Sequence, residues 1–578
     1  MSKVPLNSNL ARVILREIPE NLRLISWMNV VSAITTTTLL WLVQAATEAT
    51  QQDGEPGLRL VLMYAITVTL FGISHNVTLV TASHDAERLI HGFRLRLFDA
   101  VRKSDLVTVE KIGRAALNSV LVQDTQALGG ILPLLAIGAQ QAVMLLFLGF
   151  YLAWLSPLAC LMAFGCAGLA VAVRNARVQG FRRQLQETAA AEAEVFDGLT
   201  DLLHGFKEVR MSRPRADALV GAIGRASAKA RQVNIATKTQ WGRNFSLTEV
   251  MFYALIGLMV FAVPLLTSDF YKVVVPATTA ALFIVGPVST VAYVMPMMTQ
   301  AELALANIEG MEQRLRAAAE QVEAASPVAD SAANTATETA TETDGSGFSD
   351  PGRIALSGAR FAYRDGQDTP LFSIGPLDAE FRAGEITFIT GGNGSGKSTM
   401  LRLLTGLMPL DAGALRVDGR PVPAGRMQEW RDNISAIFSD YHLSRRLYGV
   451  GEVTNQQVAP LLDRLEMHDK VTVVDGCFST TNLSTGQRKR LALVVAWLED
   501  KKVIVLDEWA ADQDPHFRHI FYEELLPDLK AKGKIVICVT HDDRWFHHAD
   551  HTYHMNEGRL ERVAHHPSPP PPNAGKSA

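Results

Sequence analysis

Long uncharged apolar runs dominate the N-terminal half of this chain. Leu24 to Ala46 (LISWMNVVSAITTTTLLWLVQAA) and Leu60 to Ala82 (LVLMYAITVTLFGISHNVTLVTA) contain no Asp, Glu, Lys or Arg. Each is long enough to cross a bilayer as a helix, which takes about 20 residues. Thr125 to Val173 carries no charge at all, about twice the length one span requires. Ser156-Pro157 in its second half predicts two helices that turn near Tyr151 to Pro157. Val250 to Leu266 and Val273 to Thr299, separated by TSDFYK, complete the set. The expected spans lie at about 24–46, 60–82, 128–152, 155–173, 247–266 and 273–299. Buried core helices would show similar runs, but so many in one chain argue for a membrane.

Between the spans the pattern changes to amphipathic. AEAEVFDGLTDLLHGFKEVRM places Val195, Leu199, Leu202, Leu203, Phe206 and Val209 on one helical face. The two long loops therefore read as helices that leave the membrane and turn, near Asp105 to Arg114 and near Asp197 to Val209. Basic residues mark the side on which they lie. Lys3, Arg12, Arg16 and Arg23 precede the first span, seven Arg and Lys from Arg88 to Arg114 follow the second, and Arg174, Arg177, Arg182 and Arg183 follow the fourth. The loop EATQQDGEPG is short and acidic. The positive-inside rule thus predicts cytoplasmic termini and cytoplasmic long loops. Residues 1–316 are expected to form this membrane part. From 317 to 352 the chain turns to ADSAANTATETATETDGSG, which cannot bury a core and reads as a linker. A domain at 353–562 and a Pro-rich tail at 563–578 follow.

Composition adds little to that division. The 578 residues carry a net charge of −4, which implies no nucleic acid partner, and the mean hydropathy of +0.11 agrees with membrane spans. The four cysteines, Cys160, Cys166, Cys477 and Cys538, fit neither a zinc site nor a disulfide framework. The N-terminal stretch MSKVPLNSNLARVILREIPE does not have the layout of a cleavable signal. His565 and His566 sit in the tail without further ligands, and the sequon at Asn76 falls inside a span.

The chemistry is concentrated in the C-terminal domain. GEITFITGGNGSGKSTMLRLLTG runs from an apolar strand into a glycine-rich loop and then a helix. This is the P-loop pattern in its strand, loop and helix context. Gly391, Asn393, Gly394, Ser395 and Gly396 turn backbone N–H groups toward phosphate, Lys397 reaches the outer phosphates, and Ser398 offers a hydroxyl to Mg²⁺ beside Thr399. KKVIVLDEW delivers Asp507 at the tip of an apolar strand, where a Mg²⁺ ligand is needed, with Glu508 next to it to polarise a water.

FAYRDG, LSTGQRKR and VTHDD surround these motifs. Together they resemble the nucleotide-binding domain of the ATP-binding cassette (ABC) family. The resemblance implies that Tyr363 stacks on adenine and that His541 is the switch histidine. It implies that Ser484, Thr485, Gly486 and Gln487 form a signature loop acting on the opposite subunit's ATP, with Asp514 in the dimer-contacting loop. With one P-loop and one signature in the chain, two composite sites need a homodimer. The implied fold is a membrane α-helical domain of six transmembrane helices, type IV exporter-like, fused to an α/β P-loop nucleotide-binding domain. The two turned loops would be its coupling helices.

Several positions depart from the common pattern. Ser439 in AIFSDYHL stands where a Mg²⁺-binding glutamine is usual, Thr485 where glycine is common, and Ala511 where a serine is usual. The whole set, with FSTTNLSTGQRKRLAL and THDDRWFHHAD, is similar to the bacterial cyclic-peptide exporters of the syringopeptin, pyoverdine-precursor and microcin J25 type. That similarity implies ATP-driven export of a cyclic or lasso-like peptide, or a peptide siderophore precursor, across the inner membrane. A lipid or multidrug exporter, or a membrane ATPase acting as a resistance sensor, are the alternatives. Polar residues within the spans, Asn29, His75, Asn76, Gln140 and Gln141, either line a substrate cavity or hydrogen-bond between helices.

Overall fold

A computed structural model describes residues 9–17, 19–53, 57–175, 178–262, 274–324, 348, 350–364 and 369–563. It divides into two compact units, one of residues 1–102 and 113–314, the other of residues 103–112 and 315–578.

In the first unit every apolar run is helical where it is described. The helices include α1 (Pro19–Asp53), α2 (Leu58–Lys103), α4 (Thr125–Leu155), α5 (Pro157–Asn175), α6 (Val178–His204), α7 (Phe206–Met211), α8 (Arg213–Gly257) and α9 (Val274–Ala324), whose residues from Leu315 onward belong to the other unit, as does α3 (Leu106–Ile112). Among the described residues, three helical stretches are long and apolar enough to cross a membrane: Asn21–Thr50, Leu58–Lys103 and Arg114–Leu155. Pro157–Cys166 and Thr278–Val291 are shorter apolar stretches. The chain turns at Ser156, whose extended backbone (φ −157°, ψ 109°) separates α4 from α5. Pro157 cannot donate the next helical hydrogen bond, so the break falls there. The end of the fifth expected span, 263–266, and residue 273 lie outside the described residues.

Helix α9 continues to Ala324, past the expected start of the linker at 317. Its packing explains the difference, because Leu315 and Ala318 are still buried. The rest of the expected linker lies outside the described residues, apart from Phe348 and the residues from Asp350 onward, and so does the tail with His565 and His566.

The second unit is built on a six-stranded sheet. Its members are β3 (Ile386–Gly391), β6 (Ile434–Ile437), β9 (Val503–Asp507), β10 (Ile535–Val539), β11 (His551–Asn556) and β12 (Arg559–Val563), in the order β12-β11-β3-β10-β9-β6. All pairings are parallel except β11 with β12. β3, β9 and β10 are buried at every position, as the uninterrupted apolar runs ITFIT, VIVL and IVICV require of a sheet covered on both faces. A second, antiparallel sheet holds β1 (Arg353–Arg364), β2 (Pro370–Arg382), β4 (Ala412–Val417) and β5 (Arg420–Pro421) in the order β2-β1-β4-β5, and β7 (Val473–Val474) pairs with β8 (Cys477–Phe478). One core, with Leu401, Leu404, Trp430 and Val505, joins the two sheets, and another gathers Trp509, Phe517, Phe521 and Tyr522 around the helix that follows the signature.

The short helix α3 packs within this second unit. Val107 sits against its core, and Glu110 pairs with Arg402 at 3.5 Å. The same guanidinium lies 3.7 Å from Asp440.

Candidate active site

Parallel strands point their carboxyl ends in one direction, and that edge carries the chemistry. β3 ends at Gly391, β9 at Asp507, and β10 two residues before His541. After β3 the loop needs left-handed backbone at Gly391 (φ 142°), Gly394 (φ 76°) and Gly396 (φ 110°). At Gly391 a side chain would also collide with the Met555 carbonyl. Gly396 caps the helix Lys397–Leu404, whose first turn holds Ser398 and Thr399. Lys397 is buried, and its ammonium donates to the carbonyls of Gly391 (3.0 Å) and Gly392 (2.9 Å). Burial pushes its pKa down, against the opposing charges of Glu508 and Asp507. Ser395 Oγ is buried with no hydrogen-bond partner among the described residues.

Asp507 lies at the other side of this loop. Ser398 Oγ donates to its Oδ2 at 3.0 Å, while its Oδ1 is buried and unpartnered among the described residues. Burial raises the carboxyl above the usual range; hydrogen bonding by Ser398 and by Ser439 pulls it down, and the neighbouring Glu508 charge pushes it up. Ser439 therefore stands beside Asp507. Tyr441, two residues on, reaches the signature helix through its hydroxyl, 3.5 Å from the Thr485 carbonyl, and burial lifts its pKa to about 12.

Glu508 occupies the left-handed region (φ 49°, ψ 38°), uncommon for a residue with a side chain. Its Oε1 is 3.2 Å from Nε2 of His541. Tyr363 meets Phe361 edge to face, and its hydroxyl is 3.5 Å from Thr399 Oγ1. Asn393 and Gly394 are exposed at the loop's tip.

The signature residues open the helix Thr485–Glu499. Ser484 caps it, its Oγ accepting from Gln487 N (3.3 Å) while Gln487 Oε1 accepts from Ser484 N. Gly486 is required by packing as well, because a Cβ there would lie 2.6 Å from the Asp512 carbonyl oxygen. Asp514 caps the helix Pro515–Ile520, accepting from Phe517 N at 2.9 Å, and takes a 2.7 Å bond from Arg490. These two interactions hold its carboxyl below the usual range.

Motif reading missed the groups that hold these loops together. Lys489 and Arg490 follow the signature and are both buried, whereas Arg488 is exposed. Three consecutive basic residues give no signal of which ones turn inward; only the packing of the helix does. Arg402 and Glu110 were likewise not legible, since their pairing spans distant segments.

In the membrane unit, several of the polar span residues hydrogen-bond between helices. Thr78 Oγ1 donates to Asn29 Oδ1 (3.2 Å), Gln140 Nε2 donates to Ser32 Oγ (2.5 Å), and His75 Nδ1 lies 3.1 Å from Gln140 Oε1. Asn29 and Gln140 are buried, so they join helices rather than face an opening. Gln141 is half-buried and Asn76 is exposed, and neither belongs to this set of bonds.

Residues 374–511 match the ABC transporter family profile. The chain is 31% identical to the ATP-binding protein SyrD of Pseudomonas syringae pv. syringae over 479 residues, 82% of each protein. It is 34% identical to the Nod factor export ATP-binding protein I of Sinorhizobium fredii over 178 residues, which cover 28% of this chain and 50% of that protein. In structure it is similar to a bacterial Atm1-family ABC exporter with ATP bound, with a TM-score of 0.73, 16% identity and 95% of both chains covered. The P-loop edge of the sheet, the helical membrane unit before it and these relationships lead to one conclusion: the chain belongs to the ABC transporter family, as a membrane-embedded half-transporter whose ATPase domain couples hydrolysis to transport.

Proposed function

We propose that two copies of this chain form an exporter in the bacterial inner membrane and move a cyclic or lasso-like peptide, or a peptide siderophore precursor, out of the cytoplasm. The observation that carries the ATPase half is the convergence of Lys397, Ser398, Asp507, Glu508 and His541 on one edge of the sheet. The peptide half rests on the kinship with SyrD along 82% of the chain.

In this reading Tyr363 stacks on adenine, and the backbone of Gly391 to Thr399 surrounds the phosphates. Lys397 leaves the loop carbonyls for the outer phosphates. Ser484, Thr485, Gly486 and Gln487 approach the other copy's γ-phosphate from the start of their helix, where N–H groups favour negative charge. Glu508 orients a water for attack on the γ-phosphorus and takes up its proton, and His541 steadies both carboxylate and phosphate. Asp514 helps seat the two copies on each other.

The oxygen donors fit Mg²⁺. Ser398 and Asp507 supply a hydroxyl and a carboxylate, Asp507 Oδ1 is buried without a hydrogen-bond partner among the described residues, and Ser439 adds a second hydroxyl where an amide is usual. When bound, the ion would neutralise phosphate charge and keep Asp507 ionised despite its burial. Ser439→Ala is expected to raise the Mg²⁺ concentration for half-maximal ATPase by about 3- to 10-fold, the loss of one weak ligand. An unchanged Mg²⁺ titration would remove Ser439 from the donor set.

Helix α3 is proposed as one coupling helix, through Glu110, Arg402 and Asp440, which connects it to the segment carrying Ser439. The stretch Asp197 to Val209 is proposed as the other. It bends at Gly205 and leaves Leu199, Leu203 and Phe206 exposed as an apolar face for the second copy. Glu110→Lys places two cations together and is expected to lower substrate-stimulated ATPase by about 3- to 10-fold more than basal ATPase, given exposed pairs worth around 1 kcal/mol and a new repulsion. Equal losses in both would argue against coupling through this pair.

The test of cargo is uptake into inside-out vesicles holding the purified protein, with labelled cyclic peptide, lipid or drug supplied separately with ATP. Peptide uptake that stops without ATP supports the reading. Uptake of lipid or drug alone assigns a different cargo, and brisk hydrolysis with no uptake assigns a sensor.

A further inference from the structure

Lys489 is the most deeply buried lysine among the described residues, with a side chain 3% exposed. It lies in the first turns of the signature helix, and its ammonium makes two short contacts. It donates to the backbone carbonyl of Glu508 at 2.7 Å and pairs with Asp512 Oδ2 at 2.7 Å. The contact is returned along the backbone, because Trp509 Nε1 donates to the Lys489 carbonyl at 2.9 Å. Glu508 O also accepts from Ala511 N (3.3 Å), and Glu508 N donates to Val539 O (3.1 Å). The left-handed backbone of Glu508 is thus held from both its N–H and its carbonyl.

The neighbouring residues extend this grip. Gln513 Nε2 donates to the Gly486 carbonyl (3.0 Å) and its Oε1 accepts from Arg490 Nε (2.9 Å). Arg490 also lies over the Phe517 ring at 3.6 Å and bonds Asp514. The signature helix therefore holds this loop at Glu508, Trp509, Asp512, Gln513 and Asp514.

A buried ammonium is a costly way to hold a loop unless its position serves a further purpose. We propose that Lys489 is a positioning residue for ATP hydrolysis: it fixes the backbone of Glu508, so that movement of its own signature helix on the partner's nucleotide is passed to the glutamate of its own site. This rests on the reading of Glu508 as the group that orients the attacking water. Asp512 completes the link by holding the ammonium between helix and loop.

The substitution to use is Lys489→Met, which keeps length and bulk and removes the charge. Asp512 is 45% exposed and can return to water, so no buried charge is orphaned and the protein should fold. In the full-length protein in lipid, kcat for ATP is expected to fall about 10- to 100-fold while the KM for ATP stays within about threefold, the pattern of a misplaced transition-state group. Lys489→Arg, which can still donate to both acceptors, should recover part of kcat. Asp512→Asn should lower kcat less, and the double variant Lys489→Met, Asp512→Asn should be no worse than Lys489→Met alone.

A kcat for Lys489→Met within twofold of the parent overturns the proposal. So does a fall in thermal stability with kcat and KM changing together, which marks a structural lysine. Should Lys489→Met fail to fold, Lys489→Arg and Asp512→Asn decide: normal kcat in Asp512→Asn together with no selective kcat loss in Lys489→Arg also overturns it. Glu508→Gln is run beside these variants. Full turnover in Glu508→Gln defeats the underlying reading of the glutamate, whereas its loss with a normal Lys489→Met defeats the positioning role alone.

Discussion

Glu508→Gln is expected to reduce steady-state ATP turnover by about 10²- to 10⁴-fold, the range attributable to a lost general base. Glutamine keeps the shape of the side chain and its reach toward His541, now 3.2 Å away, but its amide cannot take a proton from water. The backbone that places it, with bonds to the Val539 carbonyl and from the Lys489 ammonium, involves no side-chain atom of Glu508 and should not change. ATP binding should therefore survive, and the two copies should stay closed on unhydrolysed nucleotide. Phosphate release measured with ATP retention on the same sample checks both parts. Turnover near that of the parent would assign the water to another group.

Lys397→Met is expected to act on binding instead. Removing a charge that meets phosphate in a desolvated site costs about 2–5 kcal/mol, which lowers ATP affinity by about 30- to 5,000-fold. The same change has the opposite sign in the absence of nucleotide. Burial holds the Lys397 pKa below its ordinary value, so the folded protein binds fewer protons there than the unfolded chain. Stability at this position is then lowest where the unfolded lysine is protonated, and rises with pH toward the ordinary lysine pKa. Met at 397 removes that burden, so the empty variant should melt no lower than the parent at neutral pH. The parent should gain about 2.7 kcal/mol at a nucleotide concentration 100 times its Kd, and the variant at most about 1 kcal/mol at that same concentration. Thermal melting with and without Mg²⁺ and ATP measures both. A variant stabilised by ATP as well as the parent would remove Lys397 from the phosphate site.

These effects differ because the sequence places the two residues differently. Lys397 is legible as a motif residue, since glycine-rich loop, lysine and serine must be contiguous to wrap phosphate. Glu508 is legible because an apolar strand ends in two acids. The groups that contact the Glu508 backbone were not. Lys489 and Arg490 sit in a run of three basic residues, and a helix periodicity alone leaves open which of them turns inward. The same limit applies in the membrane unit, where Asn29 and Gln140 have the polarity of cavity residues. They proved to be satisfied by Thr78 and by Ser32 with His75.

The linker boundary shows a further limit of composition. Loss of large apolar residues after 316 marks where a helix could end, yet buried Leu315 and Ala318 carry α9 on to Ala324. Small alanines pack as well as large residues where helices approach closely, so low apolar bulk is not by itself a sign of loop.

What the sequence determined by itself was local: uncharged runs that become helices, a proline that ends one of them at Ser156, glycines where φ must be positive, and strands that deliver charged residues at their tips. Each follows from backbone sterics, hydrogen bonding or transfer of side chains out of water within a few adjacent residues. Tertiary structure alone decided the long-range pairings, Glu110 with Arg402 and Asp440, Ser439 with Asp507, and Lys489 with Glu508 and Asp512. Such contacts depend on the register of parallel strands and on which face of a helix the core covers, and neither is encoded within a single motif.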